Sequence, residues 1–431
     1  MTAFRVVKHV TGLIASCCAT LISASLFHFL AAPAGAAMPV WAVATSPGQR
    51  LDCLRGQAES ALAVYACGTT CAPIPWQLDE RDGDGLWALD QGPEANPDQP
   101  PGVLDDNDEL VWMAADGGRA ARRDELPGVA TCVVELEAQV GADFSRVYAV
   151  ALPSPAPRAT GRYVTYDPRA DRAESERVAV GFGAPTPRYL ALRGADGAFG
   201  PNLLDRLKVR ASARLFGIIP LGRDEDDIEY VFSAWRAGPV RVLRREYQWV
   251  RLTSWLRTPI FRTETLMTRD ALTLPVYLRL NFPPTYFFAG IEVQAVLDFR
   301  DLRGWRVEAA GRAAAQVGVA GGERLDGARS DWVALRGPET TLVLELERGA
   351  TLVSLVPSVV YRDGDRDAEP ESQAGERPGL GYRLTEWSGV DRGEHEFAAV
   401  AVALPADADL VAFAAARAAP VYVRTRPVRG R

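Results

Sequence analysis

An all-β protein built as a large antiparallel sandwich is what this sequence predicts, and three observations carry the expectation. Short runs alternate apolar with polar residues, the period of a strand with one buried face. Clusters of Gly, Pro and Asp separate these runs, as turns between strands do. No window sustains a 3.6-residue period, and no fixed repeat occurs.

With 431 residues, 48% of them apolar, the chain is long enough for a sizeable core. A formal charge of −7 points to no strongly acidic or basic partner, so nucleic acid is not expected. Lys8 and Lys208 are the only lysines, which leaves Lys208 as the one candidate Schiff-base amine outside the leader.

Residues 1–37 read as an export signal. Arg5, Lys8 and His9 form a positive start, residues 10–30 carry no Asp, Glu, Lys or Arg, and Ala34-Gly35-Ala36 fits small-residue cleavage. A retained anchor is one alternative, since the apolar run approaches the ~20 residues that span a bilayer. A lipobox at Ile14-Ala15-Ser16-Cys17 is another. No later segment reads as a membrane-spanning helix, so a periplasmic or extracellular protein is expected.

Of six cysteines, Cys53, Cys67, Cys71 and Cys132 lie beyond the leader. In an oxidising compartment four thiols form two bridges in one of three connectivities. Cys53 with Cys67 or Cys71 would close a small loop, and Cys132 would tie that loop to a strand. Zinc is the rival, but Cys67-x3-Cys71 has no matching second pair.

Residues 38–152 are expected to form an N-terminal β segment, 153–415 the sandwich, and 416–431 a basic, frayed tail. Strands are predicted at 131–139, 146–152, 162–166, 177–182 and 188–192, then at 208–215, 228–235, 240–252, 263–267, 274–280 and 291–298. Val209, Ala211, Ala213 and Leu215 share one face while Arg210, Ser212 and Arg214 take the other. Residues 304–329 read as loop or edge. Strands resume at 340–346, 351–361, 380–387 and 395–404, and 407–416 reads as a short helix. An outer-membrane barrel also alternates, but arginines occur on both faces of 241–251 and no terminal aromatic strand follows.

The densest chemistry lies in residues 74–113. Glu80, Asp82 and Asp84 alternate, and Gly85 follows, which is the front half of an EF-hand-type loop. With residues 86–102 spliced out, Val103 falls at the carbonyl position, Asp105 at the ninth and Asp108 at the twelfth. Glu80, Asp82, Asp84, Asp105 and Asp108 are therefore the expected metal ligands, and calcium the expected cofactor, stiffening the loop rather than doing chemistry. The plainer alternative is two solvated turns whose side chains cap their own backbones. Asp363, Asp365 and Asp367 repeat the spacing without the glycine.

Catalytic residues are not identifiable. Only His395 lies outside the leader, entering a strand, where a structural role is usual. No Gly-x-Ser-x-Gly elbow, phosphate loop or dinucleotide fingerprint occurs. The run Asp224-Glu225-Asp226-Asp227 reads as a solvated turn. The aromatic stretch 281–288 reads as an apolar loop, with sugar stacking as the alternative.

Two sets of residues carry resemblances. Trp76-Gln77-Leu78-Asp79-Glu80-Arg81-Asp82 with residues 104–113 resembles a motif of exported bacterial proteins of unknown function. Gly238-Pro239-Val240-Arg241, Gly379-Leu380-Gly381-Tyr382 and Gly393-Glu394-His395-Glu396-Phe397 resemble the galactose mutarotase-like β-sandwich families. The second resemblance implies a supersandwich and a carbohydrate ligand. It carries over no catalytic pair, since those families use a His and a carboxylate. Fold analogy alone assigns no function.

The expectation is thus an exported carbohydrate-associated binding or structural protein with a calcium-stabilised loop. The alternatives are a polysaccharide lyase or glycoside hydrolase, and a cell-envelope assembly or interaction protein. An extended concave groove lined by Trp, Tyr and Arg would favour sugar binding. A carboxylate pair or a Tyr/Arg pair at its centre would favour catalysis, and an exposed apolar patch a protein partner.

Overall fold

Alternation along the strand Gly393–Pro405 shows how the molecule is layered. Ala398, Val400, Val402 and Leu404 enter one core, while Ala401 and Ala403 enter a second on the opposite side. This strand sits mid-way in an open nine-stranded sheet. Its order is Ile228–Ala237, Val242–Val250, Phe261–Met267, Ala271–Leu280, Gly393–Pro405, Thr340–Arg348, Trp332–Arg336, Arg306–Ala309 and Ala315–Gln316.

One face packs on a five-stranded sheet of Ile219–Arg223, Leu204–Leu215, Phe288–Phe299, Gly379–Thr385 and Val356–Arg362. Val242, Met267, Leu272 and Leu344 meet Leu204, Phe299, Val359 and Leu380 there. The opposite face is covered in part by the N-terminal strands and by Leu410–Arg417, the one α-helix among the described residues. Asp409 caps that helix, its carboxylate accepting from the Val411 and Ala412 amides. Every strand pairing described is antiparallel. The large antiparallel sandwich is therefore the observed fold, and its open sheets replace the barrel alternative.

The structure, a computed structural model, describes residues 38–426 and 428, apart from 184–185, 255 and 364–376. The leader, the lipobox and Asp365 and Asp367 lie outside the described residues. No helix among them is long and apolar enough to cross a membrane.

Three expectations are corrected. Cys53 pairs with Cys132, and Cys67 with Cys71, so the first bridge ties the N-terminal loop directly to a strand. The tail is not frayed throughout: Val421–Arg426 adds to the edge of Cys132–Val140. Arg426 pairs with Glu137 there, and Arg50 donates to the Val423 carbonyl. Lys208 is buried, its Nζ 2.6 Å from Asp298, and offers no free amine. Two disulfides fit an oxidising compartment outside the cytosol.

Candidate functional site

The acidic segment begins on a three-stranded sheet of Val43–Pro47, Glu109–Met113 and Trp76–Asp79. Its polar side chains anchor the start of Val242–Val250. The Gln77 side-chain oxygen accepts from the Val240 amide at 2.9 Å and the Arg241 amide at 2.8 Å. A Cβ at Gly238 would lie 2.1 Å from that oxygen, so a larger residue there displaces the Gln77 amide. The buried Arg241 guanidinium donates to Asp79 at 2.5 Å and to Glu109 at 2.7 Å. Burial would raise the Glu109 carboxyl, but Arg241 and Arg81 outweigh it and hold it below its usual range. One stretch of the second resemblance, Gly238–Arg241, thus docks on the first.

The five predicted ligands divide. Asp105 and Asp108 come together, and Asp98 joins them: each of the three offers a carboxylate oxygen within 4.8 Å of the others. Asp108 is fully buried, accepting from the Arg81 amide at 3.1 Å and the Asp105 amide at 2.8 Å. Burial, with the Asp105 and Glu80 charges adding, pushes its carboxyl up to about 6 against those two hydrogen bonds. Glu80 is buried beside them, accepting from the Gly102 amide and lying 3.5 Å from Arg236. Its carboxyl is also raised, by burial first, with the nearby Asp98 charge adding.

Asp82 and Asp84 lie outside this trio. Asp82 folds its own turn, accepting from the Asp84 and Leu86 amides and from Asn96 Nδ2. Asp84 is exposed at the turn's tip. Asp98, which the sequence reading does not single out, lies in the insert that separates the two halves of the motif. Its backbone neighbourhood is Pro97 and Gln99-Pro100, which gives no ligand spacing to read. Gly48 lets the loop close, since a Cβ there would overlap the Asp105 carbonyl at 1.7 Å.

A second polar constellation lies on the nine-stranded sheet. Tyr247, Arg262, Tyr277 and Glu396 stand directly opposite one another on four adjacent strands. Cross-strand neighbours share a face, so the four form one row. The Arg262 guanidinium lies 4.2 Å from the Tyr277 ring centre and 3.4 Å from Glu264. Trp249 and Arg279 are on the same face by alternation, and Arg257 lies over the Trp249 ring at 5.6 Å. Burial, with Glu264 and Glu396 adding and Arg262 and Arg81 opposing, pushes the Tyr277 phenol well above its usual range. Sequence alone could not find this row, because its members are spread over 150 positions and only strand register aligns them.

The acidic segment covers the neighbouring part of that face. Trp87 and Leu89 pack on Ala234 and Leu243, and Arg245 joins Glu264 at 2.9 Å and the Trp87 carbonyl at 2.8 Å. His395 is structural: its ring nitrogens contact Thr351 Oγ1 at 3.0 Å and the Asp391 carbonyl at 2.8 Å. In the acidic turn, Glu225 is buried and accepts from the Val209 amide. Asp363 accepts from the Tyr361 hydroxyl and the Gly318 amide.

No family model matches the chain, and no curated protein matches it. Among solved structures, an alpha-mannosidase from Enterococcus faecalis V583 aligns at 11% identity and a TM-score of 0.48, over 90% of this chain and 45% of its own. A protein in the glycosyl hydrolase family 38 from Enterococcus faecalis aligns at 11% identity and 0.47, over 90% and 46%. The chain spans less than half the length of either.

Proposed function

We propose that the protein is an exported, periplasmic or extracellular carbohydrate-associated binding protein whose ligand lies along the Tyr247–Arg262–Tyr277–Glu396 row. One observation carries this reading: half-buried tyrosines, an arginine and an exposed carboxylate align on one sheet face, with Trp249 and Arg279 on the same face. Aromatic faces stack on the C–H surfaces of sugar rings, while a fixed Arg donates to sugar hydroxyls and a Glu carboxylate accepts from them. The galactose mutarotase-like resemblance of the sequence points to the same ligand class.

The surroundings of Tyr277 disfavour it as the base of an elimination. A tyrosine base needs a lowered pKa, and its surroundings raise it. No reaction is assigned.

A second reading, a cell-envelope assembly or interaction protein, is favoured by a different feature. Phe216, Ile218 and Ile219 at a hairpin tip, and Phe282, Tyr286 and Phe287 in the neighbouring loop between the two large sheets, are all exposed, with Phe287 packed on Phe216 and Phe282.

A glycan array probed with the purified protein, with and without EDTA, decides between them. Signal on a defined glycan class that disappears in Arg262→Ala supports the first reading. No signal in either condition overturns it and favours the second.

A further inference from the structure

We propose that Asp98, Asp105 and Asp108, with Glu80 beside them, form a binding site for one hard divalent cation, Ca2+ by the chemistry of its ligands. The site goes beyond the sugar reading and does not rest on it.

The first support is geometric. Three carboxylate oxygens, one from the insert and two from the return loop, lie within 4.8 Å of one another. Two oxygens on opposite sides of a calcium ion, each at about 2.4 Å, are separated by about that distance. Acidic clusters are common without ions, so geometry alone does not suffice.

The second support is independent. Asp98 is only 8% exposed, yet its Oδ2 has no hydrogen-bond partner. No arginine or lysine among the described residues forms an ion pair with Asp98, Asp105 or Asp108. A buried carboxylate oxygen with neither donor nor cation is costly to hold. Nearby like charges add to that cost. A cation among the three supplies the missing partner and removes the repulsion in one step.

The remaining coordination capacity fits. Each Asp108 oxygen already accepts one backbone amide, and a carboxylate oxygen accepts more than one contact. Asp105 uses Oδ1 for the Asn107 amide. With only oxygen donors, the set suits a hard cation rather than zinc or copper. Several carboxylates without a rigid octahedral cage suit calcium over magnesium, which keeps most of its water.

The ion would join three pieces of chain: the insert at Asp98, the return loop at Asp105 and Asp108, and, through the Asp108 hydrogen bond, the Arg81 backbone. This differs from the sequence expectation. The ligand set gains Asp98, and Asp82 and Asp84 serve their own turn.

The test uses the full purified chain, stripped with EDTA and dialysed. Titration with CaCl2 is followed by calorimetry and by thermal melting. One calcium per chain and a raised melting temperature are expected. Asp98→Asn is expected to weaken calcium binding at least tenfold while melting no lower than the wild type in EDTA, because it removes an unpartnered buried charge. Asp84→Asn is expected to bind as the wild type does. Should Asp98→Asn fail to fold, Asp105→Asn, at a half-buried position, carries the same expected loss. Absence of calcium heat with an unchanged melting temperature overturns the proposal, as does wild-type affinity in Asp98→Asn or Asp105→Asn. No glycan is present, so failure here leaves the Tyr277 row untested and unharmed.

Discussion

Arg241 Nε lies 2.5 Å from Asp79 Oδ2, across 162 positions of sequence, with both side chains almost wholly removed from water. The pair joins the N-terminal three-stranded sheet to the nine-stranded one, and Glu109 shares the same guanidinium. Arg241→Met removes the nearest cation from buried Asp79, which among the described residues keeps only Arg236 at 3.7 Å. Breaking one side of a buried pair typically costs about 3–5 kcal/mol. Urea unfolding of the variant is expected to show a loss of that order. Arg241→Lys is expected to recover only part, because an ammonium cannot serve Asp79 and Glu109 with a planar fork.

The two disulfides differ in what they constrain. Cys53–Cys132 closes a separation of 79 residues, whereas Cys67–Cys71 closes 4. On the chain-entropy model the longer loop is worth roughly 4 kcal/mol and the shorter one much less. Cys53→Ser/Cys132→Ser is expected to lower the melting temperature clearly more than Cys67→Ser/Cys71→Ser, measured by calorimetry on non-reduced protein.

Much of the fold was legible in the sequence, because period two is a local property. The predicted run 228–235 is observed as Ile228–Ala237, and 395–404 as Gly393–Pro405. The short helix near 407–416 is observed as Leu410–Arg417. What failed depended on partners. The Arg424–Arg426 region looked like free tail because its ladder partner, Glu135–Val140, lies nearly 300 positions away. Strand Ile219–Arg223 was missed because Pro220 and Gly222 argue against a strand, and it is tolerated at the sheet edge.

The site was legible by halves. Alternation singles out Glu80, Asp82 and Asp84, of which Asp82 and Asp84 fold their own turn, and Asp105 and Asp108 are reached only by splicing out residues 86–102. Asp98 carries no such signal, and the Tyr277 row exists only once four strands are in register.

A buried network on the other face of Val242–Val250 has a pH signature. Arg244 makes a bidentate pair with Asp171 at 2.8 and 2.6 Å, and meets Glu246 at 2.7 Å. Burial raises the Glu246 carboxyl despite Arg244 and Gln248. A carboxyl raised in the fold takes up protons more readily there than in the unfolded chain. Its contribution is full below the unfolded value near 4.5 and is lost as pH rises through the folded value. Glu246→Gln removes this titration. Relative to that variant, the wild type is expected to gain stability on acidification from neutral pH toward that value, read from urea midpoints across the range.

Affinity at the sheet face is the most direct measurement. For the strongest glycan from the array, calorimetry on the wild type and on Tyr277→Ala, with melting temperatures checked alongside, isolates the row itself. Sugar binding along Tyr247, Arg262, Tyr277 and Glu396 predicts at least a tenfold loss of affinity with the fold retained. Equal affinity in the two proteins would contradict it.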